Sequence, residues 1–483
     1  MRQADLTALV MGRRYQQLPG DFYHFVAPQP LQSPCLVAAS VAAARLLDLE
    51  PQQLTPEMLL KSFSGEASLA GSQPLATVYA GHQFGGYSPV LGDGRALLLG
   101  EVRNRQGECW EVQLKGSGRT PYSRHGDGRA SLRSVIREYL ASEALAALQI
   151  PTTRALCIIG SETPICRQSI ESAALLVRLS PSHIRFGHFE YFHYARQPQQ
   201  VKRLADFVIE HHYSDLAERA DPYLALFRAV VKRTAHLVAL RQAAGFCRGV
   251  MNTDNMSIIG VTLDFGPFAF IDQYQPGVVS NLSDERGRYA FNQQPSIGLW
   301  NCVCLAQAFS DLVAKAALEE ALGEYEKKFA ISYTQRMKAK LGLTTPDARD
   351  AGLVEELLRL MQLAQADYTQ VFAGLNSVET AAGRAAFLAL FGEQVAAEAW
   401  LSALLERRTS EPEPAALMRT VNPYRVLRNY WLQQAIERAQ QGDYDALAQL
   451  QGVVQDPWQS STSDLYSDTL PSWGVNLSTS CAS

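Results

Sequence analysis

Arg248-Gly249-Val250-Met251-Asn252-Thr253-Asp254-Asn255-Met256-Ser257-Ile258-Ile259-Gly260-Val261-Thr262-Leu263-Asp264-Phe265-Gly266 is the stretch on which the reading of this chain turns. A polar loop rich in Asn and Asp gives way to an apolar run, Met256 to Leu263, which leads into Asp264-Phe265-Gly266. Asn and Asp in loops ordinarily make turns, and that accounts for Asn252 and Thr253. Asp254, Asn255 and Asp264 ask for more, because an apolar hairpin between them would place all three at one end. Asn255 and Asp264 then offer hard oxygen ligands suited to Mg2+ or Mn2+ beside nucleotide phosphates. Asp254 is the nearest carboxylate able to accept a proton.

A protein-kinase catalytic loop ends on an Asn, and a short hairpin then leads to Asp-Phe-Gly. Asn255 and Asp264 occupy those two places. The kinase base position, five residues before Asn255, holds Val250, which cannot take a proton. The metal pair is present and the usual catalytic Asp is absent.

Working outward, the upstream half supplies the other kinase-like parts in order. Leu91-Gly92-Asp93-Gly94-Arg95 is a tight glycine turn, either a plain hairpin turn or a loop whose N–H groups can approach phosphates. Strands over 96–102 and 109–114 follow, joined by Asn104-Arg105-Gln106-Gly107, and the second ends at Lys115. A second glycine loop runs from Gly116 to Gly128. A helix over 131–148 then carries Glu138, the expected partner of Lys115, with Glu143 in reserve. Strands return near 155–159 and 173–179. Arg178 sits in the apolar run Ala174 to Leu179, where a buried guanidinium needs an anion, either a phosphate or a structural carboxylate. Arg185 lies seven residues on.

Before this, Leu36 to Leu49 and Thr55 to Phe63 read as helices, and residues 1–34 as an extended wrap. From Val201 onward the periodicity is helical, with helices near 201–213, 222–244 and 296–320 and several between 350 and 450, interrupted by the motif hairpin at 256–271. The expectation is an α+β, bilobal, protein-kinase-like (pseudokinase) fold. Its divisions are an N-terminal extension over 1–78, a β-rich N-lobe with one main helix over 79–200, a helical C-lobe over 201–453 and an irregular tail over 454–483.

Composition limits the function classes. The chain has 483 residues, 47% of them hydrophobic and 19% charged, with a formal net charge of −4, so no general nucleic-acid binder is indicated. No run is long enough to cross a membrane and no leader pattern opens the chain, so a cytoplasmic protein is expected, and separately a monomer. The eight cysteines are scattered without metal-ligand spacing and read as buried thiols, with Cys481 in the polar tail as the exception. The histidines form no H-E-x-x-H pattern, so a zinc site is not expected.

Several segments together resemble the selenoprotein O family of protein adenylyltransferases on a pseudokinase fold. They are Tyr79-Ala80-Gly81-His82-Gln83-Phe84-Gly85, Gln113-Leu114-Lys115-Gly116-Ser117-Gly118, Asp127-Gly128-Arg129-Ala130-Ser131-Leu132-Arg133, Met251 to Ser257, Phe268 to Asp272 and Asn422-Pro423-Tyr424. The resemblance implies that ATP binds inverted relative to a kinase and that AMP passes to a Ser, Thr or Tyr hydroxyl of a protein substrate. It also implies nucleotide contacts from Gly92, Gly94, Arg95, Asp127, Gly128 and Asp264, and phosphate contacts from Lys115, Arg178 and Arg185. Asp254 would be the proton acceptor, with Asn255 and Asp264 as ligands of Mg2+ or Mn2+. Transfer from UTP, phosphotransfer and a catalytically inactive nucleotide-binding scaffold are the alternatives. Two positions depart from the family pattern. Arg248 stands where relatives have His, and Ser280 where some have Cys, so no disulfide between Cys481 and that segment is expected.

Overall fold

The computed structural model describes Leu6, residues 9–66, 68–167, 169–460 and 470–474, and Leu477. Among these residues, eight strands form one antiparallel sheet. Its order is Tyr23–Phe25, Leu75–Thr77, Ala96–Arg103, Cys109–Lys115, Ile170–Ser180, Arg154–Cys166, Cys35–Ala39, with Ala130–Ser131 pairing beside Ile170–Ser180. Residues 1–78 supply three of these strands, so this segment is woven into the sheet and does more than wrap it.

Register decides which side chains meet. Gln113 pairs with Arg178 and Lys115 with Leu176. Side chains alternate along a strand, so Gln113, Lys115, Leu176 and Arg178 share one face. The helix Leu132–Ala147 lies on that face, with Val135, Ile136 and Tyr139 packed with Ala174 and Leu176. The opposite face sends Val112, Leu114, Leu175 and Val177 against Leu47, Leu59 and Phe63 from the first part of the chain. The sheet is therefore covered on both sides, and Lys115 and Arg178 are brought under a helix.

The rest is largely helical, from Phe186–Tyr194 through Pro222–Ala243 and Gln294–Phe309 to Asp445–Gln455. The 22-residue helix Pro222–Ala243 starts where Asp221 accepts a hydrogen bond from the Leu224 N–H at 3.0 Å and Pro222 fills the first turn. No described helix is long and apolar enough to cross a membrane.

The structure corrects several local expectations. Leu36 to Leu49 is not one helix. Cys35–Ala39 is a strand at the sheet edge, and a short helix, Val41–Ala44, follows. Ser40 makes the break, accepting from the Ala43 N–H and donating to Glu143 at 2.7 Å; pairing with the neighbouring strand outweighs alanine's helix preference. The helix expected over 296–320 is two helices, Gln294–Phe309 and Lys315–Leu322, separated at Ser310–Ala314. The hairpin expected over 256–271 closes elsewhere. Phe246–Arg248 pairs with Phe268–Phe270, and within the intervening loop the strand-like pairing is reduced to an isolated bridge between Met256 and Thr262, with two more bridges reaching out from it to Arg185 and Thr152. Of the seven described cysteines, Cys35 and Cys166 are exposed and Cys109 is partly buried, so only Cys157, Cys247, Cys302 and Cys304 fit the buried reading. Cys481 lies outside the described residues.

Candidate active site

A cleft of about 890 Å³ opens between the sheet and the 248–268 loop. Gly92, Gly94, Arg95, Lys115, Asp127 and Gly128 line it from the sheet side, and Arg178, Arg185, Asp254, Asn255 and Asp264 from its floor. Glu138 stands behind this lining, 1% exposed.

The floor is an ion-pair network centred on Asp264. Lys115 Nζ bonds Glu138 Oε2 and lies 3.4 Å from Asp264 Oδ1. Arg178 donates to Glu138 Oε1 at 2.9 Å, to Asp264 Oδ1 and, through Nε, to Gln113 Oε1 at 2.8 Å. Arg185 reaches Asp264 Oδ2. Burial alone would raise the Asp264 carboxyl, but Arg178, Arg185 and Lys115 hold it well below the usual range. Burial lowers the Lys115 ammonium despite Glu138. Three cations thus face two carboxylates, leaving an excess of positive charge on the cleft floor. Glu143, the reserve partner for Lys115, is instead paired with Arg154 at 2.8 Å.

Asp254 sits differently. It is 8% exposed, its Oδ1 has no partner, and only Gln83 Nε2 approaches Oδ2, at 3.5 Å. Burial pushes its carboxyl up to about 6, against the downward pull of Arg185. That suits a group that gives and takes a proton near neutrality. The two Asp residues of one loop therefore have opposite electrostatics. Asn255 and Asp264 provide an amide and a carboxylate oxygen facing the same cleft, a donor set that fits a hard divalent ion.

The glycine loops lie on the cleft wall for steric reasons. At Gly92 the backbone is left-handed (φ 62°) and a Cβ would run into the Tyr122 ring; at Gly128 (φ 71°) it would run into the Gly118 carbonyl. Only glycine fits such positions cheaply. Asp127 is tied by two bonds to Arg167 (2.8 and 2.9 Å) and caps the Arg129 N–H at 2.9 Å, which holds the second loop open beside Gly128. Arg95 is exposed at the rim.

Three positioning residues escaped sequence reasoning. His188 accepts from the Arg185 N–H at 3.0 Å and meets Thr77 Oγ1 at 3.2 Å; burial keeps it neutral, with a pKa near 3. Asp93 accepts from Thr77 N–H and Oγ1, tying the first glycine loop to the same strand. Gln113 orients Arg178 from the next strand. A polar residue in an apolar strand was the available signal for Gln113, and its use depends on register. Arg248, noted only as a departure, is buried and donates to the carbonyls of Asn255 (3.1 Å), Leu263 and Asp264 (3.1 Å). It clamps both ends of the loop together. Ser280 is not part of the cleft lining and donates to the Cys247 carbonyl at 3.2 Å.

Comparison with known proteins gives a consistent result. A family model described as "Protein adenylyltransferase SelO" matches residues 5–455. "Protein nucleotidyltransferase YdiU" of Pseudomonas fluorescens (strain Pf0-1) is 47% identical over 484 residues, covering 99% of each chain. The protein of the same name from Thioalkalivibrio sulfidiphilus is 47% identical over 480 residues, covering 97% of this chain and 98% of its own.

Proposed function

The chain belongs to the SelO family, and on that premise we propose that it transfers AMP from ATP to Ser, Thr or Tyr hydroxyls of other proteins. It is a transferase, and nucleotidyl transfer to proteins is the activity its relatives are named for. AMP as the group, hydroxyls as acceptors and an inverted ATP on a kinase-like bilobal fold are the finer reading.

The observation that carries it is the pairing of a cation-rich floor with an isolated, protonatable Asp254. Lys115, Arg178 and Arg185 form the most positive part of the cleft, which favours the most charged end of ATP there. The β- and γ-phosphates would then draw these groups from Asp264 into charge-assisted bonds. The α-phosphate would lie nearer Asp254, whose carboxylate takes the proton of the attacking hydroxyl. Pyrophosphate leaves. Asn255 and Asp264 would hold Mg2+ or Mn2+, which supplies charge neutralisation at the phosphates when bound. Arg185 holds the Asp254 carbonyl at 2.8 Å, and Arg248 holds the far end of the loop, so the base is fixed relative to the floor.

A reading as phosphotransferase has less support, because the kinase base position is Val250. Product analysis by phosphorus NMR tests the choice. Pyrophosphate formed in proportion to modified protein is expected; ADP formed instead would contradict AMP transfer.

A further inference from the structure

Behind the catalytic loop, three side chains with no part in the chemistry above converge from separate elements. They are His82 on Gly81–Gln83, Glu190 on the helix Phe186–Tyr194, and Cys304 on the helix Gln294–Phe309. One ligating atom from each lies within 4.8 Å of the others. From this geometry we infer that His82, Glu190 and Cys304 form a second metal site, one that takes Zn2+ or a similar borderline ion.

The carboxylate is the first reason. Glu190 is 0% exposed, and its Oε1 is buried with no hydrogen-bond partner. Its Oε2 takes both available contacts, from Thr253 Oγ1 at 2.8 Å and His82 Nδ1 at 3.3 Å. Among the described residues, no Lys or Arg pairs with it. A buried carboxylate with an idle oxygen and no fixed cation is costly, and a bound cation removes that cost.

Geometry is the second. Zinc bonds of about 2.0–2.1 Å to N and O at a tetrahedral angle put those two ligands roughly 3.3 Å apart. His82 Nδ1 and Glu190 Oε2 stand 3.3 Å apart, so an ion held between them would replace their present contact, while Oε2 keeps its bond from Thr253 and the charge of the carboxylate, idle Oε1 included, is balanced by the cation. The donor chemistry is the third. Nitrogen, carboxylate oxygen and sulfur together suit zinc, whereas a thiol is a poor ligand for Mg2+. Cys304 loses its thiol proton to solvent on binding, and the His82 ring carries its remaining proton on the nitrogen that faces away from the ion. The rings of Tyr87, Tyr194 and Trp300, centred 5.2–5.9 Å from the His82 ring, fix its plane. The His82 side chain is 12% exposed, which leaves a route in from solvent.

The site would act as a brace. Thr253 Oγ1 donates to Glu190 and accepts from the His82 N–H at 2.7 Å, and Asp254 is the next residue. Fixing the three ligands fixes the back of the loop that carries the base.

Cobalt(II) titration of chelator-treated protein, with Mg2+ in excess to fill all-oxygen sites, tests this without reference to transfer activity. The full chain should take up one equivalent and develop a thiolate-to-cobalt charge-transfer band that Zn2+ abolishes. Cys304→Ser should lose the band, and His82→Asn should weaken binding at least about tenfold. Asp264→Asn should keep the band, which separates this site from the cleft. Absence of a thiolate band in the unmutated chain overturns the inference. So does a band lost in Cys35→Ser, Cys109→Ser, Cys166→Ser or Cys481→Ser. If Cys304→Ser does not fold, the unmutated titration and those four variants still decide.

Discussion

Nη1 of Arg185 lies 2.8 Å from the main-chain carbonyl of Asp254, and no ion pair joins the guanidinium to the Asp254 carboxylate. The guanidinium spends its charge on Asp264 instead. Asp254 is thus held in place without being neutralised, with consequences for both rate and stability.

Asp254 must be ionised to accept a proton, and burial puts its pKa at about 6. Transfer measured as kcat/KM should therefore fall tenfold per pH unit below about 6 and level off above it, since this parameter reports the free enzyme. Asp254→Asn should lose on the order of 10²–10⁴ in rate, the usual share of a general base, while keeping nucleotide affinity within a few fold. Calorimetric titration beside rate measurement checks both. An acid limb that survives in Asp254→Asn would assign it to another group.

The same burial has a stability consequence of opposite sign. The folded-state pKa lies above the ordinary 3.8, so the protonated form is favoured by folding and stability is lost as pH rises through about 6. The gap corresponds to at most roughly 3 kcal/mol. Asp254→Asn, neutral throughout, should resist urea better than the unmutated chain at pH 8, and the gain should shrink towards pH 4. Equal unfolding midpoints at pH 8 would contradict the buried, unpaired carboxylate.

Glu138 is the buried counterion of both Lys115 and Arg178. Glu138→Gln leaves Lys115, Arg178 and Arg185 with only Asp264 among them, and breaking a buried pair costs about 3–5 kcal/mol. Urea unfolding of the nucleotide-free protein should show that loss. Saturating ATP should restore more stability to this variant than to the unmutated chain, because phosphates offer the missing negative charge.

Arg248→Ala removes the donor shared by the carbonyls of Asn255, Leu263 and Asp264. Buried carbonyls left unsatisfied cost about 1–3 kcal/mol each at most, so a drop of that order in stability is expected. A loosened loop should lower kcat more than it raises the KM for ATP. A variant with unchanged kcat would show that the clamp is not needed for positioning.

Much of the cleft could be read from the chain because its parts follow a fixed order. Lys115 ends a strand, Glu138 follows on a helix, and Asp264 closes a polar–apolar loop. What could not be read depends on long-range placement. The partnership of Gln113 with Arg178 exists only through strand register. His188 supports Arg185 from a helix, Phe186–Tyr194, that is nearly all aromatic and buried on most sides, so it shows no polar stripe to betray its period. Cys35–Ala39 looks helical by composition, and only its non-local pairing with Arg154–Cys166 makes it a strand. The convergence of His82, Glu190 and Cys304 spans 222 positions of sequence, beyond any spacing rule.

The direct test of AMP transfer is incubation of the enzyme and an acceptor protein with ATP labelled separately at the α and γ phosphates. Label from the α position should appear on protein, be released with the acceptor's modified Ser, Thr or Tyr, and be absent with Asp264→Ala; Val250→Asp should not convert the enzyme into a kinase. Label on protein from the γ position, with none from the α position, would contradict the proposed function and leave only the family and the fold.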